Sequence, residues 1–224
     1  MAALLLNPRT RWPAVIAAVA LAEALVDISE GYAPAAIAGY ALANSVEPLI
    51  GAILVLRWCG GRPDLRRRRD LLLFVVGACV AGPLAGGLIG GGAVAAQFGV
   101  WWPGAALRWF AADAIGVLVV ASPILLWSKQ SHILRSRPVE TVTILGSTAA
   151  LSWLAMWTGL SPSMLILPLL VWAALRLNVI GAALAGAAAT VAANVRSASG
   201  LGMLSDLNLP APGHPQVTAF QTML

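Results

Sequence analysis

Long apolar runs alternate with short polar separators along the whole chain. The runs predict seven membrane-length helices, and an eighth apolar run begins near Val217 and stops at Leu224. The separators are rich in proline, glycine and charge, as turns between packed helices are. The pattern therefore predicts an all-α fold, a polytopic transmembrane helical bundle made by a single domain over residues 1–224. The seven predicted segments lie at about 12–29, 33–56, 71–96, 105–127, 139–158, 162–177 and 179–198.

Composition supports an integral membrane protein. Of the 224 residues, 59% are hydrophobic and only 10% are charged, whereas soluble domains have roughly 25% charged residues. The net charge of +5 does not indicate a nucleic-acid partner, because the basic residues stand near the ends of apolar runs instead of forming a binding face. The expected partner is the lipid bilayer.

Basic residues in the short loops set the predicted orientation. They occur before the first segment, between the second and third, between the fourth and fifth, and at the end of the sixth, which places all of them on one side. The positive-inside rule makes that side, with the N-terminus, cytoplasmic. Two arginines, Arg108 and Arg196, lie at outer ends and depart from the pattern.

Small residues recur every four positions in two segments. Gly82, Gly86 and Gly90 do so in the third, and Gly181, Ala185 and Ala189 in the seventh. Such stripes let helix backbones approach closely. Packing inside the bundle is the favoured interpretation, and a homodimer face is the alternative.

Polar stripes follow the first two segments. Glu23, Asp27 and Glu30 share one face of the first helix, and we expect Asp27 and Glu30 to be solvated near the outer surface, with Glu23 deeper. In the second segment, Asn44 and Glu47 belong to a polar stripe along one face that also holds Tyr40 and Gly51. Pro48 removes a helix hydrogen bond beside Glu47, so a kink and an ion or proton site are expected there.

Asp113 is the one acid inside the apolar run Trp109–Trp127. An ionised carboxylate is costly in hydrocarbon, so this side chain needs a partner, a wet cavity or a proton. Arg108 is five residues away and turned about 140° around the helix, which disfavours pairing within it. We expect a partner on another helix, or Arg108 itself, with Arg176 and Arg196 as candidates. Asp113 and Glu47 are then either a ligand, ion or proton switch or a structural hydrogen-bonded pair.

Motifs for other chemistry are absent from the sequence. Cys59 and Cys79 form no CxxC pair, and His132 and His214 stand alone, so neither a disulfide nor a zinc site is predicted. The sequence contains no GxSxG, HExxH or Walker motif. We expect no enzymatic activity and no cofactor.

Several ordered features resemble the MASE1 family, the membrane-associated sensor domains of bacterial signalling proteins. In chain order they are Arg11-Trp12-Pro13, Ala43 through Glu47, an arginine-rich loop ending in Arg69-Asp70, the helix Trp109–Trp127 with Asp113, Gly116 and Pro123, and the stretch Pro168 through Gly181. The last features are Gly200–Gly202, in an outer loop, and Gln221, at the start of a final helix.

The resemblance implies a sensory domain of the bacterial inner membrane that answers to a small ligand or a membrane property. Family members continue into a cytoplasmic histidine kinase, diguanylate cyclase or phosphodiesterase, so a cytoplasmic signalling partner is expected. The family usually has about eight helices, and both ends are shorter here, which predicts a fragment, a late start or a stand-alone sensor. From the buried polar positions we expect the switch centre at Asp113, Glu47 and Asn44, with Arg108 or Arg196 as counter-charge. Glu23 and Asp27 are further ligand or switch candidates. A small proton- or cation-coupled transporter is the alternative, and a truncated remnant is a third.

Overall fold

The computed structural model describes residues 1–158 and 162–198, with side chains described outside 156–165, 194 and 196–198. The predicted eighth run, Gly200–Gly202, His214 and the side chain of Arg196 lie outside this part of the chain. Every regular element within it is helical. After α1 and a single 3₁₀ turn, Arg9–Arg11, the α-helices follow one another closely. They are α1 Ala2–Leu6, α2 Trp12–Ser29, α3 Pro34–Cys59, α4 Arg68–Phe74, α5 Gly82–Phe98, α6 Trp102–Gly116, α7 Ser122–Ser136, α8 Pro138–Thr158 and α9 Pro162–Ala198.

Five helical stretches in the described residues are long and apolar enough to cross a membrane. Their outward surfaces are apolar as well: Leu72, Leu107 and Leu175 are 65%, 66% and 78% exposed. Such surfaces are unfavourable in water and favourable in lipid. The all-helical membrane fold is thereby confirmed, with five candidate spans. They are Arg9–Ser29, Pro34–Cys59, Arg68–Phe98, Trp102–Ser136 and Ile166–Ala193.

Two of these spans contain a π-helical stretch immediately before a proline. Val75–Ala81 precedes Gly82-Pro83, and Val117–Ala121 precedes Ser122-Pro123. A proline inside an α-helix removes an amide donor and clashes with the carbonyl four residues earlier. The wider π turn relieves this clash, so each span stays helical through its proline.

Contacts group the chain into two compact units, Met1–Ala121 and Ser122–Leu224. In the first, α5 packs against α3 and α6, and α2 packs against α3. In the second, α8 and α7 pack against α9.

In the second unit, α9 is broken at Asn178, where the backbone has φ 58° and ψ −160°. A β-carbon built on Gly181 would lie 2.8 Å from the carbonyl oxygen of Ala173, whereas eight residues of continuous helix span about 12 Å. The chain therefore turns back on itself at Asn178. This residue is the position that separates the predicted sixth and seventh segments, and Ala185 and Ala189 are buried beyond it.

Two side chains replace the hydrogen bond that this break removes. The amide of Ile180, buried at the turn, donates to Gln130 Oε1 at 3.0 Å. The carbonyl of Arg176, four residues earlier, accepts from Arg137 Nη1 at 3.3 Å. These two backbone groups would bond to each other in an unbroken helix. Glu140 completes the arrangement by pairing with both Arg137 and Arg176. We call this set the turn clasp.

Candidate functional site

Glu47 and Asp113 meet between α3 and α6. Glu47 is only 6% exposed, and the Oδ2 atom of Asp113 is buried without a hydrogen-bond partner. The two carboxyl groups are close enough to interact with each other. The structure therefore gives Asp113 a partner on another helix, as predicted, but the partner is an acid. Arg108 is half-buried and makes no ion pair within the described chain, and Arg176 pairs with Glu140.

The glycine stripe of α5 determines how deeply Glu47 is enclosed. A β-carbon on Gly86 would lie 2.8 Å from Glu47 Oε2, and one on Gly82 would lie 2.8 Å from the Glu47 carbonyl oxygen. Any larger residue would push α5 away from α3. The stripe thus packs inside the unit, which confirms the favoured interpretation of its spacing.

Trp109 covers the pair from one side. A β-carbon on Gly90 would lie 2.5–2.6 Å from the Trp109 ring, and that ring stands 5.5 Å from Tyr40, tilted by 31°. The indole lies beside Asp113, which follows Trp109 by four residues and so shares its helix face. Its Nε1 atom is nevertheless buried without a hydrogen-bond partner, so a donor and an acceptor stand unsatisfied next to each other.

Glu23 and Asn44 extend the cluster toward α2. Their side chains interact, and Glu23 is also electrostatically coupled to Asp113. Pro48 lies inside α3 and has no amide hydrogen, so the carbonyl of Asn44 has no helical donor. We call Glu23, Asn44, Glu47, Trp109 and Asp113 the polar cluster.

Asp27 departs from expectation. We expected it to be solvated near the outer surface together with Glu30, but it is 5% exposed and its Oδ2 atom has no hydrogen-bond partner. Tyr32 lies nearby and packs edge-on against Tyr40 and Phe98, with ring centroids 5.9 and 6.1 Å apart. Glu30 is exposed. Aromatic packing at this end of the helices thus accompanies the burial of a carboxylate that was expected to be solvated.

The sequence did not single out Trp109 or Tyr40 as site residues. The available signal was their spacing: Trp109 precedes Asp113 by four residues and Tyr40 precedes Asn44 by four, so each shares a helix face with a predicted site residue. Neither was named as a site residue, because aromatic residues in an apolar helix are ordinarily core or interface residues.

The charge of the polar cluster is one-sided. No described arginine or lysine forms an ion pair with Glu23, Asp27, Glu47 or Asp113. The positive group that acts on Glu47 is the amino group of Met1. No three histidine, cysteine or acidic side chains in the described residues are placed to hold a metal ion.

Comparison with known proteins places this geometry in a family. The MASE1 family model matches residues 1–206. The probable diguanylate cyclase DgcE of Escherichia coli (strain K12) is 31% identical over 143 residues, covering 60% of this chain and 12% of that protein. The chain therefore spans about an eighth of this curated relative. No solved structure matches it.

These findings favour signalling over the alternative of a small transporter. MASE1 is a sensory domain and not a catalytic one. The family match covers most of the chain, including both helices that supply the Glu47–Asp113 pair. The chain belongs to the MASE1 family and is a membrane sensory domain of a signalling protein.

Proposed function

We propose that the polar cluster is the switch through which this domain responds to its signal. The observation that carries the proposal is the meeting of Glu47 and Asp113 without a neutralising arginine or lysine in the described residues. Two ionised carboxylates repel each other and have no hydrogen to share. The amino group of Met1 is the one described positive charge that acts on Glu47, and it is shared with neither Asp113 nor Glu23. The pair is therefore most stable while it holds a proton or a bound cationic group, and loss of that proton or cation would drive α3 and α6 apart.

The surrounding packing makes such a movement discrete. Gly82 and Gly86 hold α5 directly against the backbone and side chain of Glu47, so Glu47 has no room for small adjustments. Close-packed interfaces change between distinct arrangements more readily than they deform continuously. A small ligand or a membrane property then acts by favouring one arrangement, to the extent that its affinity differs between the two.

The proposal includes the placement of the domain in the inner membrane of a bacterium. Seven spans with a cytoplasmic N-terminus would put the arginine-rich loops in the cytoplasm. Dividing the last of the five apolar helices at Asn178 gives six spans, and α8, Pro138–Thr158, would be the seventh. Both small-residue stripes are buried within their own units, so a homodimer would need another surface.

The output module that receives the signal is proposed to be a cytoplasmic domain distinct from this non-enzymatic sensory domain. The relative that it resembles is a probable diguanylate cyclase, and a histidine kinase or phosphodiesterase would be an equivalent receiver. Signal would pass to such a module in the same polypeptide or in a partner protein.

A matched pair of substitutions tests the proposal. The full chain is joined to a diguanylate cyclase, and Glu47→Gln is compared with Glu140→Gln, which makes the same chemical change at an exposed ion pair. We expect Glu47→Gln to change cyclase output at least fivefold and Glu140→Gln to leave it within twofold, at equal protein levels. Equal output from both variants would show that the polar cluster is structural.

A further inference from the structure

Unit Met1–Ala121 carries an unusual concentration of positive charge at one end. Eight arginines and two aspartates lie within residues 1–12 and 57–70, a formal charge of +6 against +5 for the entire chain. All eight arginines are exposed. We call them the arginine face: Arg9, Arg11, Arg57, Arg62, Arg66, Arg67, Arg68 and Arg69.

The fold, and not only the sequence, assembles this face. Arg62 donates to the carbonyl oxygen of Leu6, which ties the loop after α3 to the segment before α2. The indole of Trp12 donates to the carbonyl oxygen of Leu4 at 2.9 Å, and Arg69 donates to that of Trp58 at 3.4 Å. The start of α2, the end of α3 and the start of α4 are therefore neighbours.

Little of the charge is neutralised inside the protein. Asp64 pairs with Arg66 at 2.8 Å, and Asp70 accepts a hydrogen bond from the Asp64 amide at 2.9 Å. Arg62 and Arg69 bond to uncharged carbonyl groups, which fix their positions and leave their charge uncompensated. The guanidinium groups of Arg67 and Arg68 make no hydrogen bond or ion pair with any described residue.

The location of the arginine face identifies its partner. Three candidate spans begin or end there, at Arg9, Cys59 and Arg68, so the face lies where an apolar helix meets the headgroup layer of a bilayer. Trp58, 36% exposed, lies among the arginines and suits the same layer. The anions concentrated at that depth are lipid phosphates, which guanidinium groups bind bidentately. We infer that the arginine face binds the headgroup of an anionic glycerophospholipid, with Arg67 and Arg68 as its free ligands.

The inference is tested on the full chain in nanodiscs made from equal parts of phosphatidylcholine and phosphatidylglycerol. Native mass spectrometry measures how strongly phosphatidylglycerol is enriched among the retained lipids. Each arginine at a membrane surface contributes about fivefold in affinity, so we expect R67Q/R68Q to lower the enrichment about 25-fold. R67K/R68K keeps the positive charge and should keep most of the enrichment. R135Q, which removes an exposed arginine of α7, should leave the enrichment unchanged.

Three results would overturn the inference: R67Q/R68Q with undiminished enrichment, R135Q with an equal loss, or displacement of the lipid by soluble glycerol 3-phosphate. The last would assign the site to a free phosphate compound. Should R67Q/R68Q fail to fold, the unaltered chain still gives an answer. Its enrichment must fall as sodium chloride is raised, because salt screens exposed charge, and enrichment insensitive to salt would contradict a headgroup site.

Discussion

Buried polar groups are arranged differently around the polar cluster in residues 1–121 and around the turn clasp in residues 122–198. Near the polar cluster, Asp27, Trp109 and Asp113 each keep a buried polar atom without a hydrogen-bond partner. In the second unit, the buried side chains of Gln130, Thr148 and Ser152 are each hydrogen-bonded, and among its described residues only Ser122 Oγ is unsatisfied.

Under the proposed function, this difference distinguishes a structural arrangement from a switch. An unsatisfied buried polar group costs about 1–3 kcal/mol, and such a cost persists where the group has a further use. The turn clasp removes that cost by supplying a side chain for each freed backbone group. The polar cluster retains that cost at Trp109 Nε1 and Asp113 Oδ2, in keeping with the proposal that a proton or ligand binds there.

The largest expected effect on stability concerns the packing of the polar cluster. Gly90→Ala places a methyl group against the rigid Trp109 ring, and we expect a loss of about 1–3 kcal/mol because neither helix can yield easily. The midpoint of thermal unfolding in detergent measures this loss.

Gly92→Ala on the same helix is the control. Its new methyl group would make an ordinary contact, 3.5 Å from Trp102, and alanine is the better helix former by about 1 kcal/mol. We expect this variant to be as stable as the parent or more so. Equal losses in both variants would mean that helix α5 is generally intolerant and that the glycine stripe has no special role.

The turn clasp predicts a loss of similar size from a single side chain. Gln130→Ala leaves the buried amide of Ile180 without a partner, and we expect about 1–3 kcal/mol of destabilisation. Gln97→Ala, which removes a half-buried glutamine with no such bond, should cost much less. Thermal unfolding of both variants compares them directly, and indistinguishable midpoints would show that the hydrogen bond of Gln130 contributes nothing.

Asn178 predicts a gain in stability. Its φ of 58° and ψ of −160° lie in a region that glycine occupies with little strain and other residues rarely enter. Asn178→Gly should therefore stabilise the chain by about 1 kcal/mol, and Asn178→Ala should not. A lower unfolding midpoint for the glycine variant would indicate that the asparagine side chain is itself needed.

The smallest expected effect comes from the exposed part of the turn clasp. Glu140 pairs with Arg137 and Arg176 at the surface, where solvent and salt weaken ion pairs. Glu140→Gln should leave the unfolding midpoint unchanged within error at moderate salt. A large drop in the midpoint would show that this ion pair, and not Gln130, supplies most of the stability of the turn clasp.

Much of the helical framework could be predicted from the sequence because its signals are local. Gly60 and Gly99 end α3 and α5 with φ of 72° and 66°. Hydropathy located the helices between such terminating residues. The turn at Asn178 also fell where the segment boundary was predicted. The π turns before Pro83 and Pro123 were not anticipated, since periodicity does not distinguish α from π over one turn.

The partner of Asp113 could not be predicted in the same way. Charge complementarity pointed to an arginine, because a sequence shows which charges exist and not which helices adjoin. Glu47 reaches Asp113 because glycines on α5 let both α3 and α6 pack closely against it. This arrangement depends on three helices packing together. The burial of Asp27 has the same origin, since Tyr32 and Tyr40 close over the end of the helices.

A double-mutant cycle on cyclase output tests the central claim most directly. Glu47→Gln, Asp113→Asn and the double variant are compared with the unaltered chain joined to the same cyclase. If the two carboxyl groups act as one switch, each single substitution changes output at least fivefold and the double variant changes it no further. Independent effects that multiply in the double variant, or output that none of the three substitutions alters, would contradict the account.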